Sequence, residues 1–352
     1  MGEIRKWLLY GATGYTGRLI AEEARQQGLS PILGGRSEEV TSLAAKLGLP
    51  SIVFSLSNVA ATRRALDGVS VVAHCAGPFA ATSTPMIDAC MLARAHYVDI
   101  TGEIDVFVAA QRRHNQARAA GIVVCPGVGF DVIPTDCIAA CLTEALPDAT
   151  HLALGFKASG ARSPGTARTS IEGMAQGARV RRNGAIVNEP LGQRTRTIDF
   201  GTGPRLAVSI PWGDVATAYF TTGIANIEVY VPASPRSIAR LRRLDRLRPL
   251  LRVPPVRALA KRIAARINPG PSKKERESEK TWLWGEVRNE HGDARVARLT
   301  TPNGYRLTID GVLMAVRALL VRPPGGGYFT PTQLLGVRCV ERLPGCSAIH
   351  IE

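Results

Sequence analysis

Trp7-Leu8-Leu9-Tyr10-Gly11-Ala12-Thr13-Gly14-Tyr15-Thr16-Gly17 is the stretch that decides the fold. Four apolar residues make a short buried strand. Glycines follow at 11, 14 and 17, and Tyr15 to Gln27 then carries helical spacing closed by Gly28. A tight turn after a strand needs a residue without a Cβ. A phosphate reaches the backbone only where no side chain stands in the way, and the third glycine lets the helix pack close to the sheet. Backbone N–H groups at the helix start then face the pyrophosphate. The order strand, glycine loop, helix therefore predicts a dinucleotide site built from Gly11, Thr13, Gly14, Tyr15, Thr16 and Gly17.

The pattern around the loop supports this reading. Apolar runs at 31–34, 51–54, 69–74, 97–100 and 121–124 alternate with helical segments at 37–46, 59–66, 85–94 and 104–119. Alternation of this kind predicts a doubly wound parallel sheet of the Rossmann type. The second strand ends in Gly34-Gly35-Arg36-Ser37, where an NAD site would place an acid for the ribose hydroxyls. Arg36 and Ser37 instead suit a 2′-phosphate, so the cofactor is predicted to be NADP(H).

Ligands in such sheets lie beyond the C-terminal strand ends. The fourth strand ends in Cys75-Ala76-Gly77-Pro78-Phe79, where small Ala76, Gly77 and Pro78 leave room for a nicotinamide. The fifth supplies Asp99 and Glu103, and the sixth supplies Asp131. Asp131 and Glu103 are the acidic candidates for proton transfer. Lys157, expected near the end of the first strand of the second domain, is a third. The sequence speaks against a short-chain dehydrogenase mechanism, because no tyrosine is followed by lysine four residues later. No activated-serine or zinc signature is found, so no metal site is expected.

After residue 150 the pattern changes to strands at 151–156, 178–187, 194–199, 205–210, 216–231, 282–288 and 294–308, with helices at 166–178 and 309–321. Asn183-Gly184 is a hairpin signal. A second α+β domain on a mixed or antiparallel sheet follows. We divide the chain into an NADP-binding domain over 1–130 and a substrate and dimerisation domain over 131–327. The tail opens on a linker at 323–327 and continues into a helix-like stretch at 331–342, and segment 328–352 is expected to pack back on the first domain. A homodimer is one assembly consistent with this division.

Met1 to Lys6 lead into the first strand without an apolar leader, and no uncharged apolar run is long enough to span a bilayer. The seven scattered cysteines suit reduced thiols. These features predict a cytoplasmic protein. The net charge of +15 is concentrated: residues 236–280 hold 15 basic and four acidic side chains. Ile238, Leu241, Leu244 and Leu247, then Val256, Leu259, Ile263 and Ile267, predict two basic amphipathic helices split by Pro254-Pro255, with an exposed loop at 270–276. Such helices serve as a solvated cover with the apolar face in the core, or as a peripheral membrane contact. Nucleic-acid binding is disfavoured, because no aromatic platform accompanies the charge.

Taken together, Gly11–Gly17, Gly35-Arg36, Cys75–Phe79, Tyr97-Val-Asp-Ile-Thr-Gly-Glu103 and Gly129-Phe-Asp-x-x-Pro-x-Asp136 resemble the saccharopine dehydrogenase-like reductases. Trp284-Gly285-Glu286, Thr301-Pro302-Asn303-Gly304-Tyr305 and Thr330-Pro331 are similar to the branch that holds the mycobacterial trans-acting enoyl reductases. The resemblance implies an NADP-binding domain, a second domain forming the substrate cleft, and a C-terminal helix returning to the first. Saccharopine reductases act on an imine, and the enoyl reductases are associated with C=C bonds of lipid or polyketide-like intermediates. The motifs at the strand ends are apolar, small or acidic, which favours an apolar, lipid-like substrate over a polycarboxylate. The expectation is an NADPH-dependent oxidoreductase reducing a C=C or C=O bond. An imine reductase and a non-catalytic NADP sensor are the alternatives.

Overall fold

Alternating apolar runs need burial on both faces, and a parallel sheet flanked by helices provides it. In the computed structural model the described residues are 5–158, 160–161, 163–251, 253–268 and 270–352. Met1–Ile4, read above as leading into the first strand, lie outside them. The chain divides into two compact units. One holds the residues up to Thr101, Asp105–Asp131 and Thr308–Gly336, and the other holds Gly102–Ile104, Val132–Leu307 and Val337–Glu352.

The first unit begins with β1 (Lys6–Tyr10), α1 (Tyr15–Gln26), β2 (Ile32–Gly35), α2 (Glu39–Leu47), β3 (Ser51–Val53) and α3 (Val59–Ala65). It continues with β4 (Val69–His74), α4 (Phe79–Ala93), β5 (His96–Asp99), α5 (Ile104–Gln111), α6 (His114–Ala120) and β6 (Val123–Cys125). Leu8, Leu9, Val71, Val72, Tyr97, Val98 and Val124 are fully enclosed, as strands covered on both faces must be. Two differences from the sequence reading matter. α4 starts at Phe79, not after Pro85, and carries Pro85 inside it. The helix expected over 104–119 is broken in two at Arg112 and Arg113.

The second unit contains α7 (Ile133–Ala145), β7 (His151–Ala158), α8 (Pro164–Gln176), β8 (Ala178–Arg182), β9 (Ala185–Glu189), β10 (Thr195–Asp199) and β11 (Pro204–Ser209). It goes on through α9 (Asp214–Thr222), β12 (Asn226–Pro232), α10 (Pro235–Leu251), α11 (Pro254–Ile267), α12 (Lys273–Ser278), β13 (Lys280–Arg288) and β14 (Ala294–Pro302). Asn183 and Gly184, both at positive φ, turn β8 into β9. The strand expected over 216–231 is α9 followed by β12, because Asp214–Thr222 buries Val215, Ala216 and Ala218 with helical spacing. The expected loop at 270–276 is replaced by α12, which Ser272 and Glu275 start with a reciprocal capping box.

The chain closes with α13 (Gly304–Val321), β15 (Gly327–Tyr328), α14 (Pro331–Leu335), a 3₁₀ turn (Cys339–Arg342) and β16 (His350–Ile351). The strand read over 294–308 therefore stops at Pro302. The tail expected to pack on the first domain is divided: residues to Gly336 join the first unit and Val337–Glu352 join the second.

The first sheet has the order β15-β6-β5-β4-β1-β2-β3, parallel throughout. The second runs β10-β11-β12-β7-β13-β14-β16, with β8 paired to β12 and β9 paired to β8. It is mixed, since β12 and β7 are parallel while β13 and β14 are antiparallel. One face of it packs on α7, where a Cβ on Gly285 would lie 2.4 Å from Ile138. Ala153, Phe200, Tyr230 and Trp284 form a cluster on this sheet. Cys137 lies 3.4 Å from Cys339, and all seven cysteines are free thiols.

Candidate functional site

The site residues of the first unit collect where the strand order reverses. β1 has β4 on one side and β2 on the other, so the chain leaves β1 and β4 in opposite lateral directions and a crevice opens at their C-terminal ends. Gly11 occupies φ +85°, and a Cβ there would lie 2.7 Å from the Ala76 nitrogen. The N–H groups of Gly11 and Ala12 donate to the Gly34 carbonyl at 2.9 and 3.2 Å. A Cβ on Gly17 would meet the Gly11 carbonyl oxygen at 2.2 Å. Each glycine therefore answers a named close approach of backbone to backbone. α1 opens at Gly14 with no side-chain cap and no acid in its first turn, which leaves the positive end of the helix suited to an anion.

Arg36 and Ser37 follow β2 and are exposed. Among the described residues the exposed Arg36 side chain has no hydrogen-bond or ion-pair partner. Arg18, on α1, pairs with Glu39 at 3.4 Å. A cationic group beside a glycine cradle fits a cofactor with an additional phosphate.

Ala76, Gly77 and Pro78 are held from below by a pair that sequence reasoning missed. His74, the last residue of β4, is fully buried and stacks against Tyr10. The Thr82 hydroxyl lies 2.7 Å from the Ala76 carbonyl, 3.1 Å from the Pro78 carbonyl and 3.0 Å from His74 Nε2. The hydroxyl has one proton and its shortest contact is to Ala76, so His74 Nε2–H donates to Thr82. Burial pushes the His74 pKa down to about 3, so the ring is neutral. The missed signal is the start of α4: reading Pro85 as the first helical residue left Thr82 in a loop.

The strand-end acids differ in role. Asp99 is buried and saturated. Its Oδ2 accepts from the Tyr97 hydroxyl at 2.7 Å, and its Oδ1 accepts from the N–H groups of Thr101 and Gly127 at 3.0 and 2.9 Å. It ties the loop after β5 to the loop after β6. Burial raises its pKa to about 6 against those hydrogen bonds. Asp131 is the contrast. Its Oδ1 is enclosed and has no hydrogen-bond partner, and burial raises its pKa to about 7. The loop that carries it is fixed by the Thr308 hydroxyl, which accepts from the Phe130 N–H at 3.0 Å.

Glu103 is half-buried just before α5. Lys157 sits near the end of β7, where its Nζ donates to the Thr202 hydroxyl at 2.9 Å and lies 4.7 Å above the Trp282 ring. The hydroxyl and the ring face hold the ammonium within the second unit. Within that unit a shallow cavity is lined by Arg182, Arg196, Arg288, Glu228 and Glu286. Its arginines are already paired: Arg182 with Glu228, Arg196 with Glu286 at 3.0 Å, and Arg288 with Glu286 at 2.6 Å. Among the described residues no cluster of His, Cys, Asp or Glu is arranged to hold a metal ion.

Comparison with known proteins agrees with this geometry. Residues 7–125 match the saccharopine dehydrogenase NADP-binding domain. The human saccharopine dehydrogenase-like oxidoreductase is 29% identical over 150 residues, covering 37% of this chain and 35% of that protein. The trans-acting enoyl reductase of Mycobacterium leprae is 34% identical over 139 residues, covering 37% of this chain and 33% of that protein. The chain thus spans about a third of the length of the curated relatives it matches. Over its full length it superposes on saccharopine dehydrogenase (L-Glu forming) from Saccharomyces cerevisiae with a TM-score of 0.66 at 12% identity, covering 99% of each chain. Residues 7–125 are thus similar to the saccharopine dehydrogenase NADP-binding domain, in a chain whose whole length shares its fold with the yeast saccharopine dehydrogenase.

Proposed function

We propose that the protein is an NADPH-dependent reductase acting on a C=C or C=O bond of an apolar, lipid- or polyketide-like substrate. The observation that carries this reading is Asp131. A carboxyl with one enclosed, unpartnered oxygen and a pKa raised by burial to about 7 is poised to give up a proton near neutral pH, as suits a general acid. When bound, NADPH supplies hydride. The chain supplies the rest. The Gly11–Gly17 loop and the start of α1 bind the pyrophosphate, and Arg36 with Ser37 grips the 2′-phosphate. Ala76, Gly77 and Pro78, held by Thr82, leave space beside the β4 end for the nicotinamide. Asp131 delivers the proton that balances hydride addition.

The likeness of the N-terminal third to a trans-acting enoyl reductase supports a C=C substrate. The committed arginines of the second unit's cavity weigh against a polycarboxylate, which would need unpaired cations. The test is a panel of enones, ketones and imines followed by loss of NADPH absorbance. An apolar enone or ketone is expected to turn over, and Asp131→Asn to lower kcat by about 10²-fold or more while leaving NADPH affinity unchanged. Turnover of an amino-acid imine alone would assign the saccharopine-type reaction instead. No turnover across the panel, with NADPH binding intact, would leave a sensor.

A further inference from the structure

α10 and α11 are amphipathic helices set with their apolar ridges outward. On α10 the inward side is Ile238, Leu241, Arg242, Asp245 and Arg248. Asp245 Oδ1 accepts from the Leu191 N–H at 3.0 Å, the Arg242 Nε–H donates to the Gly192 carbonyl at 2.9 Å, and Arg248 pairs with Asp245. Leu244, Leu247 and Leu250 consequently point away, 43–55% exposed. On α11 the side toward α8 carries small or polar residues, with Lys261 paired to Glu172 on α8. Val256, Leu259, Ile263 and Ile267, spaced for one face, are 41–73% exposed. Eight of the twelve exposed large aliphatic residues among those described fall between 244 and 267, so the exposed apolar surface is concentrated on this segment rather than scattered. Of the two readings the sequence left open for these helices, the outward direction of Leu244–Ile267 departs from the cover with its apolar face in the core, although Ile238 is buried.

The charge on the same surface selects the occupant. Arg236, Arg240 and Arg243 share the outward side of α10 with the leucines, and Arg262 and Arg266 flank the ridge of α11; all five are exposed. Apolar side chains bordered by arginines match a bilayer surface, where aliphatic groups enter the acyl boundary and guanidinium groups meet lipid phosphates. Among the described residues no helix is long and apolar enough to cross a membrane, so the contact lies in the plane. We propose that α10 and α11 form a docking surface for an anionic lipid membrane.

Flotation of the full chain with phosphatidylcholine vesicles, with and without phosphatidylserine, tests this. Binding is expected on the phosphatidylserine vesicles and is expected to weaken in high salt. The triple change Leu247→Ser, Leu259→Ser, Ile263→Ser is expected to lower partitioning at least about tenfold, as is Arg240→Gln with Arg243→Gln, Arg262→Gln and Arg266→Gln. All substituted side chains are exposed, and unchanged NADPH binding confirms that each variant folds. Absence of flotation at low salt, or flotation that neither set alters, overturns the proposal. A native dimer that the Leu/Ile set dissolves, without vesicle binding, also overturns it and assigns the ridge to a second copy.

Discussion

At the residue scale, the glycine loop was legible because each glycine has a steric reason that sequence order reveals. Gly17→Ala forces a Cβ to 2.2 Å from the Gly11 carbonyl oxygen. Backbone must move at the phosphate cradle, and NADPH affinity measured by fluorescence should fall about tenfold or more. The strand-end acids were legible only as candidates. Asp99 and Asp131 look alike in sequence, yet the Thr101 and Gly127 N–H groups saturate one, and the other has an oxygen with no partner. Hydrogen-bond geometry of that kind depends on loops that meet across 28 residues, which spacing does not encode. Asp131 also carries a pH prediction. Its folded pKa, about 7, stands above the unfolded value, so the native state binds the proton more tightly. The stability this contributes is present below about pH 4 and is lost as pH rises through 7. Thermal denaturation of Asp131→Asn against the native chain should show the variant gaining, relative to the native chain, from about pH 5 to about pH 8. A constant difference would contradict the burial account.

At the element scale, the parallel αβ alternation was readable from period alone, whereas the strand order came only with the structure. The errors fall where propensity and tertiary burial disagree. Asp214–Thr222 is rich in β-branched and aromatic residues, yet it is a helix because Val215, Ala216 and Ala218 are enclosed. Pro85 reads as a helix start, yet it is tolerated inside α4. The apolar positions of α10 and α11 were read as helical, but the direction they face was left open, because amphipathicity fixes which residues share a side and not what lies opposite. The contact of α7 with β13 gives the prediction at this scale. Gly285→Ala would place a methyl 2.4 Å from Ile138 and 2.9 Å from Leu142. The second sheet must separate from α7 or repack, at a cost of about 1–3 kcal/mol, visible as a lower denaturation midpoint. An unchanged midpoint would mean that the layer is looser than described.

At the scale of the whole molecule, two units with different sheets divide the work: one carries the NADP-binding fold and the other a broad mixed sheet with the basic helices. The concentration of charge in residues 236–280 was evident from composition, whereas the division of the C-terminal tail between the units was not, since short terminal strands carry little signal. The claim on which the rest depends is that Arg36, beside the glycine loop, selects NADP(H). Titration calorimetry of NADPH and NADH against the native chain and Arg36→Asp tests it most directly. NADPH should bind the native chain at least about tenfold more tightly than NADH, and Arg36→Asp should remove or reverse that preference. Equal affinity of the native chain for the two cofactors, or a preference that survives Arg36→Asp, would contradict it.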